Sequence, residues 1–281
     1  MEIWVEMMNL PPEKLPTLDV LLLGRRITCI TIPALLEAIS NVCREGRKLL
    51  VSSYNVHSFN LSMQLPWFYD FLKSVDIAPC DGMGIMGAIR YMGVALPLDY
   101  RASTTLLMPR LLEQCNDQGT ALFLLGAKPE ESKVAVQRVK HAYPNLVVGG
   151  HHGYFSHKDK DQRAAVIRHI NQFRPQILIV GMGSPLQEAF LHHYRHELDA
   201  NVLMTAGAVI DRLAGMVPDC PERLQNMGLE WFYRLCREPK RLSLRYLLGN
   251  PAFALHVALA KNLVTPKDLL DIRPSALITS L

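Results

Sequence analysis

The sequence predicts an α/β fold, a mainly parallel sheet flanked by helices, followed by a basic amphipathic helical appendage at the C-terminus. Three observations carry that prediction. Short apolar runs of strand length alternate with amphipathic segments of about 10–15 residues, the pattern of βαβ units. Most of these runs end in glycine or small polar residues, as expected where a strand turns into a helix. The excess positive charge is gathered in one C-terminal stretch. Together they describe a Rossmann-like sheet with something added behind it.

Taken in order, residues 1–18 are rich in proline and methionine, lack a period and read as an N-terminal extension. "DVLLLGRRITCIT" reads as two short strands turning near Gly24. "IPALLEAISNVCREG" reads as a helix with Pro33 in its first turn and Gly46 just past its end. "KLLVSSYN" is a buried strand with a polar end. "TALFLLG" precedes the helix "KPEESKVAVQRVKHAY", whose Val134, Val136 and Val139 are expected near one face. "NLVVGG" precedes a polar link and the helix "DQRAAVIRHINQF"; "QILIVGMG" precedes "SPLQEAFLHHYRHEL"; "NVLMTAG" precedes "AVIDRLAG". Residues 19–221 are therefore assigned to the α/β core and 222–281 to the appendage.

Composition narrows the function. With 281 residues, 49% of them apolar, the chain can fill a substantial core. The six cysteines are scattered without a Cys-x-x-Cys pair, so neither a zinc site nor a disulfide framework is indicated, and a reducing compartment is expected. Glu2 and Glu6 stand where an export signal would carry basic residues, and no window offers the about 18 apolar residues of a membrane span. Net charge is +4, and the stretch from Trp231 to Leu248 already carries that whole excess. There Arg234, Arg237, Arg241 and Arg245 recur at three- and four-residue spacing beside an apolar row of Trp231, Leu235, Leu242 and Tyr246, with Pro239 opening a second helix. Such an element suits a membrane surface, with arginines near lipid phosphates, or equally a solvated helix face packed on the domain. Nucleic acid is not expected, because the rest of the chain is neutral and carries no recognised binding module.

In parallel sheets ligands gather beyond the carboxyl ends of the strands. The candidates at those ends are Ser53 and Asn55, Asp81, Gly126, Gly181 to Ser184, and Gly207. Asp81, followed by glycines in "DGMGIMG", can serve as a general base or can simply cap the next helix. "LLGAKPE" and "VGMGSPLQE" are glycine turns of the kind that cradle phosphates, or ordinary βα connections in which Pro129 and Pro185 fall in the first turn. His192 and His196 lack the H-E-x-x-H arrangement and read as a solvated face; His151 and His152 read as loop residues near the site. No Gly-x-Ser-x-Gly elbow is present.

Taken in order, "DGMGI", "LLGAKPE", "HHGYF", "VGMGSPLQE" and "GLEWFYRLCREPKRL" resemble the WecG/TagA/CpsF family, glycosyltransferase family 26, from about Leu18 to Leu248. The resemblance implies an inverting, metal-independent, cofactor-free transfer of a sugar, N-acetylmannosamine-type or a related hexose, from a UDP donor. The implied acceptor is a polyprenyl-diphosphate-linked saccharide of bacterial cell-surface polysaccharide assembly, reached from the cytoplasmic face of the membrane; a homo-oligomer is compatible with it. By this likeness Asp81 is the base. Ser53, Asn55, Arg101, Gly126, Tyr154, Gly183, Gln187, Gly207 and Asp211 are donor-side residues. Arg234 and Arg241 match the C-terminal arginines expected at the acceptor diphosphate, and Arg237 and Arg245 are placed with them on the acceptor and membrane side by the spacing of the basic stretch. The chain departs from the family at "YRASTTLL", where Thr104 and Leu106 stand for glycine and aspartate, and at "TAGAVID", where only Gly207 keeps its glycine. Two rivals follow from these departures and from the βαβ pattern: a non-catalytic nucleotide-sugar-binding or membrane-adaptor protein, and a nicotinamide-dependent oxidoreductase, which lacks its dinucleotide fingerprint.

Overall fold

A computed structural model describes residues 15–263, apart from 219, 222, 225 and 226, together with 272–274; the side chain of Arg241 is outside the described set. The first 14 residues of the expected extension are therefore also outside it. The next ones pack inward: Leu15 and Leu18 are buried in the core, and the Tyr100 hydroxyl donates to the Pro16 carbonyl (2.6 Å).

Two sheets organise the fold. β1 (Leu18–Leu22) and β2 (Arg25–Cys29) form the expected hairpin, and β8 (Ile272–Pro274) adds antiparallel to β1, giving the order β2-β1-β8. That last strand was not anticipated in a segment read as helical. The main sheet contains β3 (Leu49–Val51), β4 (Leu122–Gly126), β5 (Val148–His151), β6 (Ile177–Gly181) and β7 (Val202–Thr205). Its order is β3-β7-β6-β4-β5, every pairing parallel. All five residues of β4 and of β6 are buried, which explains their unbroken apolar runs: helices cover both faces.

The covering helices follow their sequence signals. α1 (Ile32–Glu45) opens on Pro33, is capped by Thr31, and ends at Gly46 in a left-handed conformation. α2 (Val56–Gln64) is closed by a capping box between Asn55 and Ser58. α3 (Pro66–Lys73), α4 (Met83–Tyr91), α5 (Thr104–Gln118), α6 (Pro129–Ala142) and α7 (Lys160–Phe173) follow. In α6 the buried face is Ser132, Ala135 and Val139, with Val134 and Val136 flanking it, slightly rotated from the valine stripe the sequence suggests. α8 (Leu186–Tyr194) starts one residue after Pro185, which sits at the cap rather than inside the first turn. It ends before His196, so the two histidines do not share a helix face. His192 is half-buried against Trp67 and Phe71, not solvated.

After α9 (Val209–Leu213) the chain reaches α10 (Glu230–Arg237), α11 (Pro239–Leu247) and α12 (Gly249–Leu263). These helices lie against the core through buried Leu242, Tyr246, Phe253 and Val257 and a few polar links. Phe253 and Val257 join the main core cluster, with Phe253 edge-on to Phe59 (5.0 Å). Arg212 bridges to Glu230 (3.0 Å), and the Asn60 amide donates to the Gly249 carbonyl (2.8 Å).

Candidate active site

A cleft of about 1210 Å3 runs between the carboxyl edge of the main sheet and the C-terminal helices. Its sheet side is built from strand ends: Ser53 after β3, Ala127 after β4, Gly181 to Ser184 from the last residue of β6 onward, and Thr205 to Ala208 from the last residue of β7 onward. The opposite wall carries Glu230, Trp231, Arg234, Arg245 and Tyr246. At one end lie Arg101, Ser103, Thr104 and Thr105, the approach to α5 and its first turn. The other end is apolar, with Gly84, Gly87, Ala88 and Tyr91 of α4 facing Phe253, Ala254, Val257 and Ala258 of α12.

Asp81 stands where the sequence places it, but its setting differs from a cap. The segment 77–80 is not a strand of the main sheet; it bridges both sheets through single parallel pairings of Ile77 with Val51, Pro79 with Thr28 and Cys80 with Tyr54. The Asp81 N–H then donates to the Tyr54 carbonyl (2.8 Å). The N-cap of α4 is Gly82, whose φ of 94° is one that L-residues avoid, and no side chain closes that helix end. The Asp81 carboxyl is thereby left to the cleft. Burial pushes its pKa up to about 6 and the Glu230 carboxylate pushes the same way, against a hydrogen bond from Asn55 and the fields of Arg234 and Arg245. A base with that pKa is mostly ionised at neutral pH and still basic enough to take a proton. Behind it Cys80 is inert: burial and the Asp81 charge push its thiol up to about 12.

Two turns forming the sheet-side wall are tied together by Gln187. Its side-chain oxygen accepts from the Gly207 N–H (3.0 Å), and its amide donates to Glu188 (2.8 Å). Gln187 thus lines the cleft as a brace between the β6 and β7 turns. Gly126 does not reach the cleft. A Cβ there would stand 2.1 Å from the Gly181 carbonyl oxygen, so this glycine lets β4 and β6 end close together while its neighbour Ala127 lines the cavity.

Of the sequence-derived residues, Ser53, Asn55, Asp81, Arg101, Tyr154, Gly183, Gln187, Gly207, Asp211, Arg234 and Arg245 line this one cleft. Arg237 does not: it is exposed and stacks on Tyr233 (5.5 Å). His151 and His152 pack against each other (4.3 Å between rings) just outside, and the loop after them contributes Gly153, Tyr154, Phe155 and His157. The sequence reading missed His57, Glu188 and Glu230. His57, in the first turn of α2, has its pKa pushed down to about 4 by burial and by Arg245, with a hydrogen bond to the Ser184 carbonyl opposing; it is a neutral imidazole. The signal for Glu188 was present, since Ser184 and Glu188 are spaced to meet across one helical turn. Among the described residues no group of three or more histidines, cysteines or carboxylates is placed to hold a metal ion.

The arrangement suits displacement at a sugar carbon: one tuned carboxylate, cations across from it, and a helix N-terminus to one side. Comparison with known proteins agrees. The model of the glycosyl transferase WecG/TagA/CpsF family matches residues 20–267. Similar proteins include the N-acetylglucosaminyldiphosphoundecaprenol N-acetyl-beta-D-mannosaminyltransferases of Staphylococcus aureus strains MRSA252, MW2 and NCTC 8325 / PS 47. Each is 27% identical over 213 residues, covering 76% of this chain and 81% of the relative. With a match over nearly its whole described length, the chain belongs to the WecG/TagA/CpsF family of glycosyl transferases.

Proposed function

We propose that this enzyme moves a sugar from a UDP donor, with inversion, onto a polyprenyl-diphosphate-linked saccharide at a membrane surface. The observation that carries the reading is Asp81, a carboxyl held near pKa 6 in a cleft whose facing wall supplies Arg234 and Arg245. The acceptor hydroxyl oxygen attacks the anomeric carbon while the bond from that carbon to the diphosphate oxygen breaks. The acceptor proton passes to an Asp81 carboxylate oxygen. The charge developing on the leaving diphosphate is met by Arg101, by the first backbone N–H groups of α5 at Thr104 and Thr105, and by the arginines opposite. Gly207 does not join them, since its N–H is already given to Gln187. The S. aureus relatives are named for an N-acetylmannosaminyl group and an undecaprenyl-diphosphate acceptor, which supports this substrate class.

In this reading residues 19–221 are the catalytic core and 222–281 a membrane-associating appendage. No described helix is long and apolar enough to cross a membrane. Instead Leu244, Leu247 and Leu248 of α11 and its end, and Leu255 and Leu259 of α12, stand exposed on the same helical segment as the exposed Arg237 and Lys240. Leucines with cations beside them favour the boundary between lipid headgroups and acyl chains. The apolar end of the cleft then receives the first part of the acceptor's lipid, and the arginines its diphosphate.

The test is Asp81→Asn assayed with UDP-N-acetylmannosamine and a lipid-diphosphate-linked N-acetylglucosamine. Loss of the base should lower turnover by roughly 10²–10⁴-fold with donor binding retained. Native turnover in the variant would remove Asp81 from the chemistry. Donor binding without turnover by the unaltered protein, on any lipid-linked acceptor, would favour a non-catalytic binding protein instead.

A further inference from the structure

Glu188 is a carboxyl that the mechanism above does not use. It sits in the first turn of α8, is 2% exposed and still lines the cleft. Its two oxygens are treated very differently. Oε1 accepts from the Ser184 hydroxyl (2.7 Å) and from the Gln187 amide (2.8 Å). Oε2 is buried and has no hydrogen-bond partner. A buried carboxylate oxygen left unpaired costs free energy, and the cost is removed when something supplies a hydrogen.

The surroundings restrict what that can be. Ser184 and Gln187 hold the carboxyl through Oε1, and Gln187 is itself fixed by the Gly207 N–H; the nearest protein donor left to the group is its own backbone N–H, which makes no hydrogen bond to Oε2. Arg245 is close enough to influence Glu188, Asp81 and His57 alike, which puts Glu188 around the same space as the base. A phosphate would be repelled by this carboxylate. A sugar hydroxyl or an amide N–H brings a hydrogen and no charge.

Resting on the donor reading given above, we infer that Glu188 Oε2 accepts a hydrogen bond from a hydroxyl or acetamido N–H of the transferred sugar. Glu188 is thus the group by which the site distinguishes a UDP-sugar from UDP. It selects the donor, and Asp81 acts on the acceptor. Burial raises the pKa of Glu188, and a ligand hydrogen bond of this kind would draw it back toward the ionised form.

Calorimetry with UDP, UDP-N-acetylmannosamine, UDP-N-acetylglucosamine and UDP-glucose tests this on the full chain and on Glu188→Gln, which keeps Oε1 for Ser184 and Gln187. The full chain should bind its preferred UDP-sugar more tightly than UDP. The variant should keep its UDP affinity and lose roughly tenfold to a hundredfold of that preference, the range for a hydrogen bond to a charged group. KM for the donor should rise while KM for the acceptor stays. An unchanged preference for UDP-sugar over UDP in a variant that still transfers sugar would overturn the assignment and leave the enzyme reading standing. A rise confined to the acceptor KM would move the carboxyl to the other sugar. A joint fall of UDP affinity and melting temperature would reduce it to a brace. A second measurement needs no variant: donors lacking one hydroxyl or the acetyl group are bound to the unaltered protein. If no single deletion weakens binding, the inference fails. If no UDP compound binds at all, the donor reading fails with it.

Discussion

The two walls of the cleft are made in different ways. The sheet-side wall is backbone: strand ends whose positions are fixed by parallel pairing and buried apolar runs, with Gln187 bridging two turns. The helical wall is side chain. No residue of α10 is buried, and Arg234 and Arg245 stand on helices whose buried side chains are Leu242, Tyr246, Phe253 and Val257, and which are tied to the core by the Arg212–Glu230 pair, by Asn60 to Gly249 and by Lys261 to Tyr91. On the function proposed above, the sheet-side wall would take the donor and the helical wall would meet the membrane and the acceptor, so that transfer would be tied to the place where the acceptor is.

The comparison breaks most visibly at the exposed leucines. Changing Leu244, Leu247 and Leu248 together to Gln touches side chains that are 60–75% exposed and should leave folding intact. Each leucine lost to an interface forfeits up to about 1.5–3 kcal/mol of burial. Liposome sedimentation should show membrane binding down by about a hundredfold or more, and turnover of a vesicle-embedded acceptor should fall with it, while UDP-sugar affinity in solution stays level. A fall in donor affinity would mean that the two walls are not separable.

A smaller effect is expected where the walls meet at the apolar end. A Cβ at Gly87 would find nothing within 4 Å, so a side chain can start there and extend into the cleft, and replacing a helical glycine favours the helix. Gly87→Leu should therefore raise or hold the melting temperature while raising KM for a long-chain acceptor by roughly tenfold, the order of magnitude for one filled apolar subsite. A short-chain acceptor should be used as before. Equal KM values for both acceptors would exclude lipid from this end.

The smallest effect concerns the base. Glu230 on the helical wall raises the pKa of Asp81. The ionised form is the reactive one, so kcat/KM should fall as pH drops through about 6. Glu230→Gln removes a negative charge and makes ionisation easier, so this acid limb should move to lower pH by a fraction of a unit. If a pH–rate profile shows no displacement, the helical wall does not tune the base.

Much of this molecule was legible one segment at a time. β4, β6 and β7 are apolar runs ended by glycine or threonine, α1 and α6 begin at proline, and the charged stretch announces two helices split at Pro239. These features depend on neighbours a few residues away. Which arginines reach the cleft was not legible: the break at Pro239 was, but how α10 and α11 sit against the core was not, and there Arg237 turns to solvent while Arg234 and Arg245 line the cavity. That Ala127, and not the expected Gly126, lines the cavity was likewise decided by how near β6 approaches β4.

By itself, then, the sequence determined the alternation of strands and helices, the family motifs and the location of the charge, because periodicity, capping and composition act over short distances. Only the tertiary structure decided that Gly82 rather than Asp81 caps its helix, that burial raises the pKa of Asp81 and lowers that of His57, and that Glu188 holds one oxygen without a hydrogen bond at the cleft. The physical reason is that burial and the field of distant charges set the chemistry of an ionisable group. Those are supplied by residues remote in the chain that folding alone brings together.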